Sequence, residues 1–133
     1  MSLIEELRNE NSEIKELIDV LSKLTNDETL RTNKVFCELL QQFQDKVDNH
    51  LRHESRSIYS KLLNHDDSSI KKVASDFLSN THELEKIKSK YIKRWCHQIN
   101  VNNHDEFKTE TKDFFKLIND RIHMEETHLF NVL

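Results

Sequence analysis

Residues 49–59 read NHLRHESRSIY and place an imidazole and a carboxylate one helical turn apart, at His50 and Glu54. They lie inside a long amphipathic pattern whose apolar positions include Phe43 and Val47. Residues four apart lie on the same face of a helix, so both polar groups fall on the stripe that this pattern predicts to be buried. Buried ionisable groups are costly unless they are paired or bind a metal. The sequence therefore predicts an internal partner for this pair, either a metal ion or another protein group.

The composition predicts an all-α protein. The chain has 133 residues and contains neither glycine nor proline, which removes the main helix breakers and argues against tight hairpins and glycine-rich phosphate loops. Its length suits a single domain, which we predict to span residues 1–133. The net charge of −4 gives no general attraction to nucleic acid. No apolar run approaches the roughly 20 residues that span a bilayer. We predict a cytoplasmic protein that binds neither nucleic acid nor membrane.

The two cysteines, Cys37 and Cys96, are far apart in sequence and form no CxxC pair. This spacing predicts free, partly buried thiols in a reducing compartment. Neither cysteine has a well-matched catalytic partner in the sequence, so we expect no nucleophilic chemistry and predict that the protein is not an enzyme.

Amphipathic periodicity predicts four helices separated by three short polar turns. A capping box at residues 2–5 predicts the start of the first helix, and a similar pattern at residues 25–28 predicts the start of the second. Polar clusters at residues 64–69 and 100–105 separate the remaining helices. Four amphipathic helices with short connections predict an up-down-up-down antiparallel four-helix bundle.

Polar residues interrupt the apolar stripe of every predicted helix. The interruptions, in chain order, are Asn11, then His50 with Glu54, then Thr81, then Arg121 with Glu125. Because each helix contributes, we expect these side chains to meet inside the bundle. His82 follows Thr81 and His123 lies midway between Arg121 and Glu125, but the helical phase predicts that both histidines face away from the core.

The His-x-x-x-Glu pair followed by Ile-Tyr at residues 58–59 resembles the haemerythrin-like domain family. That family is a four-helix bundle that holds a non-haem di-iron site with ligands from all four helices, and the similarity covers essentially the whole chain. Residues 121–130, RIHMEETHLF, are similar to the family's His-Ile-x-x-Glu-Glu-x-x-Leu-Phe. In that segment Glu125 takes the carboxylate position and Arg121 takes the histidine position.

The resemblance implies a haemerythrin-like fold with a degenerate ligand set. The metal ligands that it implies are His50, Glu54 and Glu125. The positions at which a family ligand is replaced are Asn11, Thr81 and Arg121. The second-choice ligands, each one or two residues from a predicted ligand position, are His82 and His123.

Arg121 argues against a di-iron centre in this chain. An arginine cannot act as a ligand, and its fixed positive charge opposes the binding of two cations. Its planar fork suits carboxylate pairing instead. If His50 is protonated, these two cations balance the charges of Glu54 and Glu125. We therefore hypothesise that a buried Arg-Glu-His network replaces the metal.

Two functional interpretations follow. The first is a haemerythrin-like protein whose family role is non-haem iron and oxygen binding or sensing, here with a degenerate metal site. The second is a metal-free helical interaction or regulatory module, which has no cofactor. Both leave open a homodimer or another protein partner. A basic run at residues 86–94 predicts a solvated face, and His53 is predicted to be a surface residue.

Overall fold

The computed structural model describes residues 1–27, 34–97 and 104–133. Its four main helices are α1 (Leu3–Thr25), α2 (Lys34–Glu54), α3 (Ser68–His97) and α4 (His104–Met124). Helix α2 continues through a π-helical turn, Ser55–Tyr59, and a short α-helical segment, Ser60–Leu63. Helix α4 continues through a π-helical turn, Glu125–Leu129, and a 3-10 turn, Phe130–Val132. The described ranges contain no strand, and the predicted all-α four-helix bundle is confirmed.

The helix starts agree only partly with the capping patterns of the sequence. Ser2 caps α1, because its hydroxyl accepts the backbone N–H of Glu5 at 3.2 Å. The prediction that Thr25 caps the second helix is wrong: Thr25 is the last residue of α1, and its hydroxyl donates to the Leu21 carbonyl at 2.7 Å. The rest of that pattern, from residue 28, lies outside the described residues, as does most of the predicted turn at residues 100–105.

The buried apolar side chains form two clusters. The larger cluster includes Ile14, Leu51, Leu84 and Ile122, and the smaller cluster includes Leu7, Ile58, Phe77 and Leu129. Six of the nine buried polar residues in the described ranges fall, on their helices, between a member of one cluster and a member of the other. We call this set the polar layer; its members are Asn11, His50, Glu54, Thr81, Arg121 and Glu125. The bundle therefore has a polar layer between two apolar cores.

Two predictions about surface and core residues are wrong. Cys37 and Cys96 are not free thiols, because they form a disulfide that joins the first turn of α2 to the last turn of α3, with their Cα atoms 5.4 Å apart. Lys88 does not lie on a solvated face: it is buried and forms an ion pair with Asp48 of α2. Helical phase predicts faces and not distances between helices, so neither contact could be read from periodicity.

None of the helices in the described ranges combines the length and the apolarity that crossing a membrane requires.

Candidate metal centre

Both buried carboxylates of the polar layer lie where α-helix gives way to a π-helical turn. Glu54 ends the regular part of α2, and Glu125 begins the π-helical turn after α4. A π-helical turn bonds residues five apart and so accommodates one extra residue; such turns are frequent at functional sites. In α2 the wider turn brings Tyr59 back to Glu54, and the Tyr59 hydroxyl donates to Glu54 Oε2 at 3.2 Å.

Three potential metal-binding atoms converge in the polar layer. His50 Nε2 lies 2.8 Å from Glu125 Oε1 and 3.0 Å from Glu54 Oε1. His50, Glu54 and Glu125 each offer one ligand atom, and these atoms lie within 4.8 Å of one another. Both glutamates are completely inaccessible to solvent and His50 is 3% exposed. The arrangement is therefore a dry His-Glu-Glu group.

The guanidinium of Arg121 contacts Oε2 of Glu54 and Oε2 of Glu125, which we call the outer oxygens. The inner oxygens, Oε1 of each carboxylate, face His50 Nε2. Arg121 Nε donates to Glu125 Oε2 at 2.8 Å, and its Nη2 donates to Glu54 Oε2 at 3.0 Å. The three other N–H groups donate to the Tyr59 hydroxyl at 2.7 Å, the Phe77 carbonyl at 3.1 Å and Asn80 Oδ1 at 2.8 Å. All five donors of the side chain are thus satisfied, by groups on α2 and its continuation, on α3 and on the π-helical turn after α4.

Glu10 of α1 contacts the imidazole of His50 at its second ring nitrogen. His50 Nδ1 lies 2.7 Å from Glu10 Oε1, and Glu10 Oε2 lies 2.7 Å from His53 Nδ1. A carboxylate on the second ring nitrogen fixes the orientation of a histidine, as it does for histidines that bind metals. His53 was predicted to be a surface residue, but it is half-buried and contacts the same carboxylate of Glu10.

The protons of the site follow from these contacts. Burial lowers the pKa of His50, but the hydrogen bond to Glu125, the close contact with Glu54 and the charges of both carboxylates outweigh burial and raise it to about 11. Both ring nitrogens face carboxylate oxygens, which agrees with an imidazolium. For Glu54, burial raises the pKa, the close contact with the His50 ring lowers it, and the charge of Glu125 raises it; the result is about 7.

The pKa of Glu125 is lowered, whereas that of Glu54 is raised. Burial raises the pKa of Glu125, but the hydrogen bond from His50, the close contact with Glu54 and the charges of His50 and Arg121 outweigh burial and lower it to about 2. Burial and the charge of Glu54 raise the pKa of the neighbouring Tyr59. At neutral pH the site therefore contains two cations, an ionised Glu125 and a Glu54 that is close to its titration point.

The other residues singled out in the sequence have different environments. Asn11 is fully buried, and its Nδ2 donates to Glu126 Oε1 at a long 3.5 Å. Thr81 is buried, and its hydroxyl donates to the Phe77 carbonyl at 2.9 Å. The second-choice ligands His82 and His123 are both exposed and lie outside the His-Glu-Glu group.

Sequence reasoning missed three members of the network: Glu10, Tyr59 and Asn80. Glu10 stands beside Asn11 in the gap of the first apolar stripe, which was a signal for a polar contact there. Tyr59 was assigned to the apolar pair of the family pattern, and its hydroxyl contact depends on the π-helical turn. Asn80 had no signal, because it is exposed and only its amide oxygen reaches Arg121.

A cavity of about 230 Å³ between α3 and α4 ends on Arg121. Its apolar walls come from Phe77, Leu84, Leu117 and Met124. The guanidinium lies between this space and the carboxylates, and none of the three potential ligands lines the cavity. Arg121 therefore closes the site on this side.

The residues present do not fit two metal ions. The His-Glu-Glu group contains a single imidazole, and Arg121 occupies the outer oxygens through which carboxylates could bridge to a second ion. One cation does fit. Glu54 Oε1 is buried without a hydrogen-bond partner, because the Nε2 proton of His50 is directed to Glu125. Donors at about 2.1 Å and right angles around an octahedral ion lie about 3.0 Å apart. The two distances from His50 Nε2, 2.8 and 3.0 Å, are close to this value and equally close to the length of an N–H···O hydrogen bond.

A comparison with protein-family models matches residues 2–133 to one described as the Hemerythrin HHE cation binding domain. Neither the curated proteins nor the solved structures gave a match.

Proposed function

Because this chain belongs to the Hemerythrin HHE cation-binding domain family, we propose that it binds one divalent cation through His50, Glu54 and Glu125. The observation that carries the proposal is the convergence of three buried ligand atoms, one of which, Glu54 Oε1, has no hydrogen-bond partner. The role we assign is reversible cation binding or sensing in a non-catalytic protein. Ferrous iron is among the ions that a set of one imidazole and two carboxylates accepts.

The surrounding residues determine how the three ligands bind a cation. His50 must release its Nε2 proton to act as a ligand, as metal-binding imidazoles do. Glu10 holds Nδ1 at 2.7 Å and keeps the ring in place while Nε2 changes partner. Arg121 holds the outer oxygens of Glu54 and Glu125 and leaves their inner oxygens facing His50. A divalent cation held by these three residues would supply a Lewis-acidic centre.

The charges of the site favour one divalent cation. The carboxylates of Glu54 and Glu125 contact the guanidinium of Arg121, and the carboxylate of Glu10 contacts the imidazoles of His50 and His53. When both imidazoles are neutral, the three carboxylates and the one guanidinium leave an excess of two negative charges. One M²⁺ ion matches this excess, whereas two would leave a buried surplus of positive charge.

A second candidate function is supported by the complete pairing of Arg121. Its five N–H groups all have acceptors, and both nitrogens of His50 face carboxylate oxygens. Such a network can exist without a metal if one proton stays on Glu54. Under this interpretation the bundle is a metal-free regulatory or interaction module that has kept the family fold.

Cation stoichiometry separates the two candidates. Protein purified without chelators is analysed for metals, and chelator-stripped protein is titrated calorimetrically with Mn²⁺, Zn²⁺ and, without oxygen, Fe²⁺. We expect about one ion per chain for the wild type and none for Glu54→Gln. The matched control is Glu85→Gln, which removes an exposed carboxylate of α3 and is expected to bind like the wild type.

Each result has a defined meaning. Saturation at two ions per chain that depends on Glu54 would contradict the single-cation site. If the folded wild type binds no ion in any titration, the single-cation site is contradicted and the metal-free module is the candidate that stands.

A further inference from the structure

The cavity between α3 and α4 contains none of the three proposed cation ligands. We call it the α3–α4 cavity. Its volume is about 230 Å³, and its apolar walls are the side chains of Phe77, Leu84, Leu117 and Met124. Leu117 and Met124 are exposed, so the apolar surface continues outward to the mouth. An apolar cavity of about 150 Å³ can bind benzene. The α3–α4 cavity is therefore large enough for an aromatic ring with a short chain.

The inner end of the cavity does not suit an anionic ligand. The guanidinium of Arg121 lies there, but all five of its N–H groups already donate to acceptors within the protein. One face of the guanidinium is covered by the Phe77 ring, whose centroid lies 4.9 Å from the guanidinium carbon. Arg121 therefore has no donor left for a carboxylate or a phosphate, and its positive charge disfavours a second cation at this end. An uncharged, apolar group suits the inner end best.

The mouth of the cavity carries negative charge. Asp76 of α3 and Asp120 of α4 both line the cavity, and both side chains are exposed. Each forms an ion pair with a lysine one turn earlier on its own helix, Lys72 or Lys116, and neither lysine lines the cavity. Because exposed pairs at this spacing are weak, both carboxylates remain able to accept a second positive group. The mouth therefore attracts a cation.

We propose that the α3–α4 cavity binds a small organic cation with an apolar body, of the arylalkylamine class. The apolar body occupies the cavity against Phe77 and Leu84, and the ammonium group lies at the mouth, where Asp76 and Asp120 attract it. Ligand pockets commonly combine apolar walls with a few polar groups that fix the orientation of the ligand. This site uses other residues and another ligand than the proposed metal site, so it does not depend on the proposed function.

The test uses phenethylammonium as the probe and compares it with the uncharged phenethyl alcohol and the anion phenylacetate. Binding is followed through the NMR signals of the leucine and methionine methyl groups. We expect phenethylammonium to saturate the protein with a Kd of about 1 mM or lower and to shift the signals of Leu84, Leu117 and Met124. The signal of Leu63, an exposed leucine that does not line the cavity, should not move. Phenylacetate should bind at least tenfold more weakly, because the carboxylates at the mouth repel it.

Removal of the two carboxylates separates the effect of the charge from that of the apolar walls. In the double variant Asp76→Asn, Asp120→Asn, the affinity for phenethylammonium should fall at least fivefold, while that for phenethyl alcohol stays within twofold of the wild type. Both substitutions are at exposed positions, so we expect the fold to be kept. The matched control is Glu83→Gln, Asp105→Asn, which removes one exposed carboxylate from each of the same two helices outside the cavity. It should bind phenethylammonium like the wild type.

Three results would overturn the proposal: equal affinity for the three probes, methyl shifts outside the cavity, or unchanged affinity of the double variant for phenethylammonium. Sedimentation velocity on the same samples tests the alternative occupant, a second copy of this chain. A wild type that dimerises and excludes the probe, with dimerisation lost in Leu117→Glu, would assign the cavity to a dimer interface and contradict the proposal. A wild type that binds the probe as a monomer supports it.

Discussion

Arg121 connects three helical segments with a single side chain. Its nitrogens bond to Glu54 and Tyr59 on the continuous helix of α2, to Phe77 and Asn80 on α3, and to the carboxylate one turn further along its own helix. Buried charges of this kind are not a simple source of stability, because their desolvation opposes their attraction. Removing one partner is nevertheless severe, since the remaining charges stay buried and unpaired.

We expect Arg121→Ala to lower the free energy of unfolding by about 3–5 kcal/mol. The cause is the loss of the cation that faces Glu54 Oε2 and Glu125 Oε2 in a site with no solvent access. The measurement is urea-induced unfolding followed by circular dichroism. The control is Lys46→Ala, which breaks an exposed ion pair with Glu13 of α1 and should cost less than about 1 kcal/mol. Equal losses in the two variants would contradict the pairing assigned to Arg121.

The helices themselves were well predicted from sequence, and their mutual contacts were not. Amphipathic stripes identified all four helices, because apolar residues three and four apart must face a common core. The same stripes identified each interruption that forms the polar layer. They placed Glu10 in the gap of the first stripe, but they could not reveal its contact with His50, because the long side chain reaches that ring from a half-exposed position. They also could not reveal the two π-helical turns, which change the helical phase after Glu54 and at Glu125.

The disulfide is another contact between helices that the sequence could not predict. Each cysteine position is half-buried and gives no strong signal in the sequence, and the disulfide depends on how the first turn of α2 meets the last turn of α3. The metal roles of His50, Glu54 and Glu125 stay predictions, because a convergent set of donors is compatible with either a cation or a proton.

Reduction of the disulfide between Cys37 and Cys96 should destabilise the bundle. The cross-link joins residues 59 apart in sequence, and closing a loop of that length restricts the unfolded chain enough to contribute about 2–4 kcal/mol. The measurement is urea unfolding with and without dithiothreitol, together with a thiol count of each sample. The double variant Cys37→Ser, Cys96→Ser should unfold like the reduced wild type and show no response to reductant. Coincident curves for fully oxidised and fully reduced wild type would contradict this prediction.

For the protein as a whole, the polar layer appears in the middle of a core that is otherwise apolar. Two apolar clusters flank it, and together they contain nearly all the large buried side chains. An ionic layer of this kind is rarely more stable than well-packed apolar residues of similar volume. Its retention is therefore better explained by binding or by structural specificity than by stability.

We expect a variant with an apolar layer to be at least as stable as the wild type. The substitutions are His50→Leu, Glu54→Leu, Tyr59→Phe, Arg121→Met and Glu125→Leu. Replacing the whole ionic group leaves no unpaired charge, so the free energy of unfolding should be unchanged or rise by about 1–4 kcal/mol, while cation binding is lost. Urea unfolding and calorimetric titration with Mn²⁺ measure the two effects. A loss of stability larger than that of Arg121→Ala would show that the layer itself holds the bundle together.

The polar layer also affects how the four helices align along the bundle axis. In a bundle with an apolar core throughout, one helix can shift along its neighbours by a turn, about 5.4 Å, and exchange one apolar contact for another at little cost. Here such a shift moves Arg121 away from Glu54 and places buried charges opposite leucine and phenylalanine. Only one vertical alignment pairs every charge, so misaligned bundles are penalised during folding. The residues that we propose to bind a cation thus also fix the axial register of the four helices.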